Sequence, residues 1–241
     1  MSRTPLKSIR ISMFLLAGTG LVPSPNGYCQ DGDKRSGPGG TPGVRLQEAA
    51  DVFEQFAQAS DKGIPRNLLR RSLCVGIIPG MKSGAFIVGG NYGRGYVVCR
   101  VEGARWSAPA AIRIEGGSIG FQIGASNTDL MFLVLNRHGK ESLLKDKLTL
   151  GSEAGPVGRD AAAQTDTMMH ADILCWSRSR GVFAGVSLDG STLKPDTDEN
   201  QNTYGPGITE RMILEGKVEP PASSRVLEKA LASTTGAGGD R

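Results

Sequence analysis

The stretch Thr128-Asp-Leu-Met-Phe-Leu-Val-Leu-Asn136 contains six consecutive apolar residues between polar ends. A strand with one solvent-exposed face alternates apolar and polar side chains, whereas a strand covered on both faces can be apolar throughout. This run therefore predicts a strand in the interior of a sheet, with packed layers on both of its faces.

Short β-rich segments on either side of this run are separated by glycine or proline, which predicts further strands. They are residues 73–79, 84–90, 95–101, 112–115, 118–125, 171–177 and 182–188. Residues 44–59 carry apolar side chains at helical spacing, and shorter helices are expected within 139–147 and 208–214. We therefore predict an α+β fold, a single compact β-rich domain of antiparallel strands with N-terminal and C-terminal helices.

The chain divides by composition into four segments. Residues 1–29 have the features of a signal peptide, with early basic residues and a 12-residue apolar stretch at 11–22. Residues 30–43 form a Gly/Pro-rich flexible linker, residues 44–219 the folded domain, and residues 220–241 a mobile C-terminal tail with a short helix near 225–232. We expect an exported protein, periplasmic or extracellular, with membrane association as an alternative.

The cysteines leave two questions about the mature protein. Cys29 follows the bulky Tyr28, where a bacterial lipobox needs small residues, so we expect no lipidation there. Cys74, Cys99 and Cys175 lie in apolar, strand-like contexts. A disulfide between Cys74 and Cys99 and buried free thiols are both compatible with these positions, and spacing does not decide between them.

Basic residues are concentrated in the first half of the domain. Residues 62–113 contain nine basic side chains and one acidic side chain. Such a segment attracts anionic surfaces if its side chains share one face, and the alternative is that they point in several directions and are neutralised. Within it, residues 64–71 place Leu68 and Leu69 opposite three arginines. This short helix either lies on an anionic membrane or uses its leucines to complete the core.

No arrangement of residues predicts catalysis, a metal site or a cofactor. The two histidines, His138 and His170, have no spaced carboxylate or cysteine to complete a metal site. Residues 89–95 are glycine-rich but lack the order of a phosphate loop, which favours a tight β-turn. The spacing of Asp196, Asp198 and Asn200 is similar to the start of a calcium loop. The later glycine and glutamate are absent, which favours a solvated loop.

Several signatures occur in order along the domain. They are Trp106-Ser-Ala-Pro-Ala110, Gly116-Gly-Ser-Ile-Gly-Phe-Gln-Ile-Gly124, Gly155-Pro-Val-Gly-Arg159 and Ser177-Arg-Ser-Arg-Gly-Val-Phe-Ala-Gly-Val-Ser-Leu-Asp-Gly190. Lys62-Gly-Ile-Pro-Arg-Asn-Leu-Leu69 precedes them and Asn202-Thr-Tyr-Gly205 follows them. Together they cover roughly residues 45–220 and resemble the SYLF domain, whose yeast members are also called an actin-binding domain.

The resemblance implies a compact β-rich domain that binds phospholipids, notably phosphoinositides, and that in some eukaryotic members binds and bundles actin. The lipid contact of the family is attributed to a basic, amphipathic N-terminal segment. On this chain that segment corresponds to Lys62, Ile64, Arg66, Leu68, Leu69, Arg70 and Arg71.

We therefore expect a non-catalytic module of an exported protein that binds anionic phospholipid or phosphoinositide as a peripheral membrane protein. A protein partner is a further expectation, and a nucleic-acid partner is not expected. The alternative function is an envelope structural or protein-interaction domain, similar to the actin-binding domain of eukaryotic relatives and without lipid specificity.

Overall fold

The computed structural model describes residues 41–59, 63–84, 90–102, 105–116, 126–150, 172–179, 182–185 and 190–235. Within these residues, eight strands form one sheet. The strands are β1 (Cys74–Gly84), β2 (Gly90–Cys99), β3 (Ala110–Gly116), β4 (Ser126–Val134), β5 (Leu148–Thr149), β6 (Ile173–Ser179), β7 (Val182–Gly185) and β8 (Ser191–Pro195). The helices are α1 (Pro42–Gln58), α2 (Arg66–Arg71), α3 (Arg137–Leu143), α4 (Thr197–Tyr204), α5 (Glu210–Leu214) and α6 (Arg225–Thr235), the last preceded by a 3-10 turn at Ala222–Ser224.

All neighbouring strands in the sheet are antiparallel, in the order β5-β8-β3-β2-β1-β4-β6-β7. Strand β4 lies between β1 and β6, and its apolar residues from Leu130 to Val134 are fully buried. The predicted interior strand and the predicted α+β fold with antiparallel strands are both confirmed.

Alternating side chains divide the core into two layers, one on each face of the sheet. On the first face, Val75, Tyr96 and Met131 pack with the helices α1, α2 and α6. On the second face, Ile112, Phe132 and other strand residues pack with Leu143 of α3 and with Ile213 and Leu214 of α5. Because strand side chains alternate between faces, neighbouring residues such as Met131 and Phe132 enter different layers.

The short helix predicted near 225–232 is confirmed as α6, but it is not part of a mobile tail, because residues 222–235 pack on the folded domain. These residues form the 3-10 turn and α6, and Leu227, Ala230 and Leu231 are buried against the layer that contains α1. Their spacing of three and four residues places them on one face of the helix, so the helix is stabilised by packing rather than left in solvent. The helix predicted at 44–59 is confirmed as α1.

The predicted turn at residues 89–95 is also wrong, since residues 90–95 belong to β2. A Cβ atom added to Gly95 would lie 2.0 Å from the backbone oxygen of Ile77, and one added to Gly93 would lie 2.6 Å from a methyl group of Ile78. These glycines therefore allow close packing of β2 against β1 in an extended conformation. The strand predicted at 118–125 lies outside the described residues.

A disulfide joins Cys74 and Cys99, which are directly paired on β1 and β2, with their Cα atoms 4.0 Å apart. Cys175 is a free, buried thiol on the same face of the sheet. Burial raises the pKa of the Cys175 thiol to about 12, so it stays protonated and unreactive at neutral pH. None of the helices in the described part of the chain is long and apolar enough to cross a bilayer.

Candidate functional site

Helix α2 separates the predicted lipid-binding residues into a buried set and an exposed set. Ile64, Leu68 and Leu69 belong to the first core layer and are at most 4% exposed. The side chains of Arg66, Arg70 and Arg71 are exposed on the outer side of the helix. In this conformation the apolar residues complete the core, and the exposed side of α2 carries arginines. Lys62 lies outside the described residues.

The position of α2 follows from its local sequence. Pro65 precedes the helix in an extended conformation, and its carbonyl accepts hydrogen bonds from the backbone N–H groups of Leu68 and Leu69. Ser72 ends the helix, and its backbone N–H donates to the carbonyl of Leu68. The chain enters β1 two residues later, at Cys74, so α2 is held at the start of a central strand.

A fourth arginine, Arg100, lies next to the end of α2. Arg100, directly after β2, donates a hydrogen bond from Nε to the carbonyl of Ser72 at 3.2 Å. Its guanidinium lies 4.3 Å from the centre of the Trp106 ring, in the geometry of a cation–π contact. Burial lowers the pKa of Arg100 from its usual range, and Lys140 donates to its backbone carbonyl at 3.1 Å. The cationic surface, as named here, comprises Arg66, Arg70, Arg71 and Arg100.

The other basic residues of segment 62–113 do not all join the cationic surface. Arg94 of β2 binds the Asp196 carboxylate at 2.5 Å, and Arg113 of β3 lies 3.1 Å from a carboxylate oxygen of Glu115. These arginines are therefore neutralised by acids that follow them by as many as 102 residues in the chain. The excess of positive charge in this segment does not form one coherent face.

The predicted solvated loop around Asp196 is wrong, because it forms a buried polar network. Asp196, Glu199 and Asn200 are between 1% and 7% exposed. Glu199 pairs with Arg45 of α1, while Asn200 exchanges two hydrogen bonds with the backbone of Ala111 in β3, at 2.7 and 2.9 Å. The acids bind α1, β2 and α4 together, a role that their polarity alone did not indicate.

The network raises the pKa of two groups that belong to it, Arg94 and Tyr96. Burial acts to lower the pKa of Arg94, but the hydrogen bond and the charge of Asp196 outweigh it, and the pKa is raised. Burial raises the pKa of Tyr96, whose hydroxyl lies 3.4 Å from a carboxylate oxygen of Glu199. Arg94 therefore stays charged, and Tyr96 stays protonated, at neutral pH.

No metal-binding arrangement occurs in the described part of the chain, where no group of three or more His, Cys, Asp or Glu side chains converges. His138 is exposed and lies 2.7 Å from Asp172, whose other oxygen accepts a hydrogen bond from Asn136 at 2.6 Å. These contacts hold the start of α3 against the chain before β6. His170 lies outside the described residues.

The fold and the cationic surface define a class of protein, an antiparallel-sheet domain with helices on both faces and exposed arginines on α2. The family model described as "Ysc84: Las17-binding protein actin regulator" matches residues 115–234. The chain belongs to this family, which is the SYLF family.

Relatives with this domain occur in yeast and in vertebrates. The chain is 33% identical over 199 residues to LAS seventeen-binding protein 3 of Saccharomyces cerevisiae, covering 78% of this chain and 43% of that protein. It is 34% identical over 199 residues to protein YSC84 of the same yeast, covering 78% and 42%. For the mouse SH3 domain-containing YSC84-like protein 1 the identity is 32% over 199 residues, covering 78% and 58%.

The chain therefore spans about two-fifths of the length of the yeast relatives that it matches. No solved structure shows significant similarity to it.

Proposed function

We propose that this chain is a non-catalytic interaction domain that uses the cationic surface to bind an acidic region of a protein partner. The observation that carries the proposal is the exposure of Arg66 and Arg70, whose side chains form no hydrogen bond or ion pair with any described residue. An arginine held at a surface without an internal acid is available to a carboxylate on another molecule.

The names of the relatives support a protein partner. The yeast relative is named for binding Las17, and the family description names an actin regulator. Actin filaments and Las17 are accordingly the first proteins to test. The whole-protein activities of these longer relatives are not assumed for this chain.

The test is co-sedimentation of the full chain with actin filaments, together with capture on immobilised Las17. We expect the double variant Arg66→Gln/Arg70→Gln to weaken binding about tenfold or more. The matched control is Arg225→Gln/Lys229→Gln, which removes two exposed charges from α6 and should bind like the unmodified chain. Equal binding by both variants would overturn the role of α2, and absence of binding to either protein would overturn these partners.

Anionic phospholipid is the second candidate ligand, favoured by the same exposed arginines. Because Ile64, Leu68 and Leu69 are buried, attraction to the bilayer would come from charge, at about 1 kcal/mol for each basic residue near the surface. Vesicles with phosphatidylglycerol should then bind the chain in a salt-sensitive way, and neutral vesicles should not. Binding that is equal for both vesicle types, or insensitive to salt, would contradict this candidate.

We also propose that the protein is exported. The disulfide between Cys74 and Cys99 supports this, because such bonds persist mainly in oxidising compartments. Cell fractionation followed by mass spectrometry of the N-terminal peptide is the test. Loss of residues 1–29 from the mature protein is expected, and recovery of the intact N-terminus from the cytosol would contradict export.

A further inference from the structure

Three basic side chains form a continuous row across the sheet, away from the cationic surface. Arg94 of β2 is directly paired with Arg113 of β3, and Arg113 is directly paired with Lys194 of β8. Directly paired residues share a face, and their Cβ atoms lie about 5 Å apart. We call Arg94, Arg113 and Lys194 the cation row.

The cation row lies on the first face of the sheet, next to the part that the helices bury. Along β2, Tyr96 is buried in the first core layer, Arg94 is partly exposed, and Tyr92 is 42% exposed. Tyr92 is directly paired with Lys82 of β1 on one side and with Glu115 of β3 on the other. The side chain of Lys82 is exposed and forms no hydrogen bond or ion pair with any described residue.

Like charges placed directly opposite one another destabilise a sheet. Three basic residues paired in succession across neighbouring strands therefore lower the stability of the sheet. Natural proteins accept such a loss of stability mainly at functional sites. Internal acids offset part of the repulsion. Glu115 lies 3.1 Å from Arg113 and 2.6 Å from Lys194, and its hydrogen bond from Lys194 lowers the pKa of its carboxyl group.

Positive charge remains in excess after this pairing. The described groups in and around the row are five cations, Arg45, Lys82, Arg94, Arg113 and Lys194, and three acids, Glu115, Asp196 and Glu199. All of these except Lys82 are engaged with one another, which leaves Lys82 as the cation that an outside group can reach at no internal cost.

We propose that the cation row, with Lys82 and Tyr92, is a second binding surface, and that it takes an acidic, extended segment of a partner protein. Glu115 shows that a single carboxylate fits between two neighbouring cations of the row. The side chains of Arg94, Arg113 and Lys194 are 24%, 38% and 34% exposed, so a ligand has to reach down to them. Individual carboxylates on a narrow peptide can do so more readily than the broad surface of a bilayer.

The proposal does not depend on the role of α2, because the two surfaces lie at opposite ends of β1. Helix α2 enters β1 at Cys74, whereas Lys82 lies near the other end of that strand. A probe that binds one surface can therefore be distinguished from a probe that binds the other.

The experiment is a titration of the full chain with a hexaglutamate peptide, followed by the amide NMR signals of the described strands. We expect saturable shifts at residues of β2, β3 and β8, and a loss of affinity of about tenfold in the variant Lys82→Gln/Lys194→Gln. The matched control Arg225→Gln/Lys229→Gln, which removes two exposed charges from α6, should leave those shifts unchanged. Lys82→Gln alone removes a side chain with no described partner, so any weakening in this single variant is not caused by misfolding.

Three other outcomes would overturn the proposal. Shifts confined to α2 would assign the peptide to the cationic surface, and absence of saturable shifts would show that the row takes no acidic segment. Phosphatidylglycerol vesicles form a separate arm of the titration. If they perturb the row and the peptide does not, the surface recognises lipid instead of protein.

Discussion

At the scale of single residues, the closest packing in the sheet depends on glycine. Gly95 faces the backbone of β1, where an added Cβ atom would lie 2.0 Å from the Ile77 oxygen and 2.8 Å from the Ile78 Cα. A backbone atom of a central strand cannot shift without disturbing its own ladder of hydrogen bonds. Glycine is therefore required at this position by the space available and not by an unusual backbone angle.

Gly95→Ala should lower the free energy of unfolding by roughly 3 kcal/mol or more, because overpacking against backbone cannot be relieved by a side-chain rotation. Chemical denaturation of both proteins measures the difference. Gly90→Ala is the matched control, since nothing lies within 4 Å of its added Cβ atom and it should change stability by less than about 1 kcal/mol. Similar losses in the two variants would contradict the packing argument.

Glu210 predicts a dependence of stability on pH. Burial, together with the nearby charge of Asp146, raises the pKa of its carboxyl group to about 8, against 4.5 as the usual value. The folded protein therefore retains a proton that the unfolded chain releases, and the free energy of unfolding falls as pH rises from about 4.5 to 8.

Glu210→Gln should remove this loss, because the amide does not ionise. We expect the variant to be more stable than the unmodified protein at pH 8, on the order of 4 kcal/mol, with the difference disappearing near pH 4. Thermal or chemical unfolding across this pH range provides the measurement. A stability difference that stays constant with pH would show that Glu210 does not hold the proton.

At the scale of elements, the buried polar network joins a helix near the start of the domain to one near its end. Glu199 of α4 pairs with Arg45 of α1, and both residues are less than 10% exposed. The pair adds a specific polar contact to the apolar packing of α1 on the sheet. Removal of one partner would leave the other charge buried without compensation.

Glu199→Ala should therefore destabilise the protein by about 3 to 5 kcal/mol. The control on the same helix is Asp198→Ala, which removes an exposed carboxylate and should have little effect. The double variant Arg45→Ala/Glu199→Ala should lose less than the sum of the two single variants, as measured by denaturant unfolding. Strict additivity would show that the two charges do not interact.

At the scale of the whole molecule, the first core layer is closed only when α6 is present. Leu227, Ala230 and Leu231 of this helix are at most 2% exposed, and they belong to the same buried cluster as Phe53 and Phe56 of α1. The folded domain therefore continues past residue 219, and the family model likewise extends to residue 234. Helix α6 packs against α1, although the two helices lie at opposite ends of the domain sequence.

Truncation after residue 219 should expose this apolar layer and prevent stable folding. Loss of the cooperative thermal transition, together with binding of a hydrophobic dye, would be the observed signs. The control is Lys229→Ala in the full chain, which changes an exposed residue of α6 and should preserve the transition. A truncated chain that unfolds at the same temperature as the full chain would show that α6 is dispensable.

Local patterns in the sequence were sufficient for much of the architecture. The apolar run of β4 predicts an interior strand, and the helical spacing in residues 44–59 predicts α1, because these periods depend only on which faces of an element are covered. The ordered glycine- and serine-rich signatures identified the family. The exposure of Arg66 and Arg70 follows in the same way from the amphipathic pattern of α2.

Only the tertiary structure decided which groups meet. Arg94 is neutralised by Asp196, which is 102 residues away in the chain, and the cation row exists because β3 lies between β2 and β8. The burial of Leu68 and Leu69, the pairing of Cys74 with Cys99 and the docking of α6 likewise depend on the order of strands in the sheet. The physical reason is that a local period specifies the face on which a side chain lies, whereas its partner is set by long-range register.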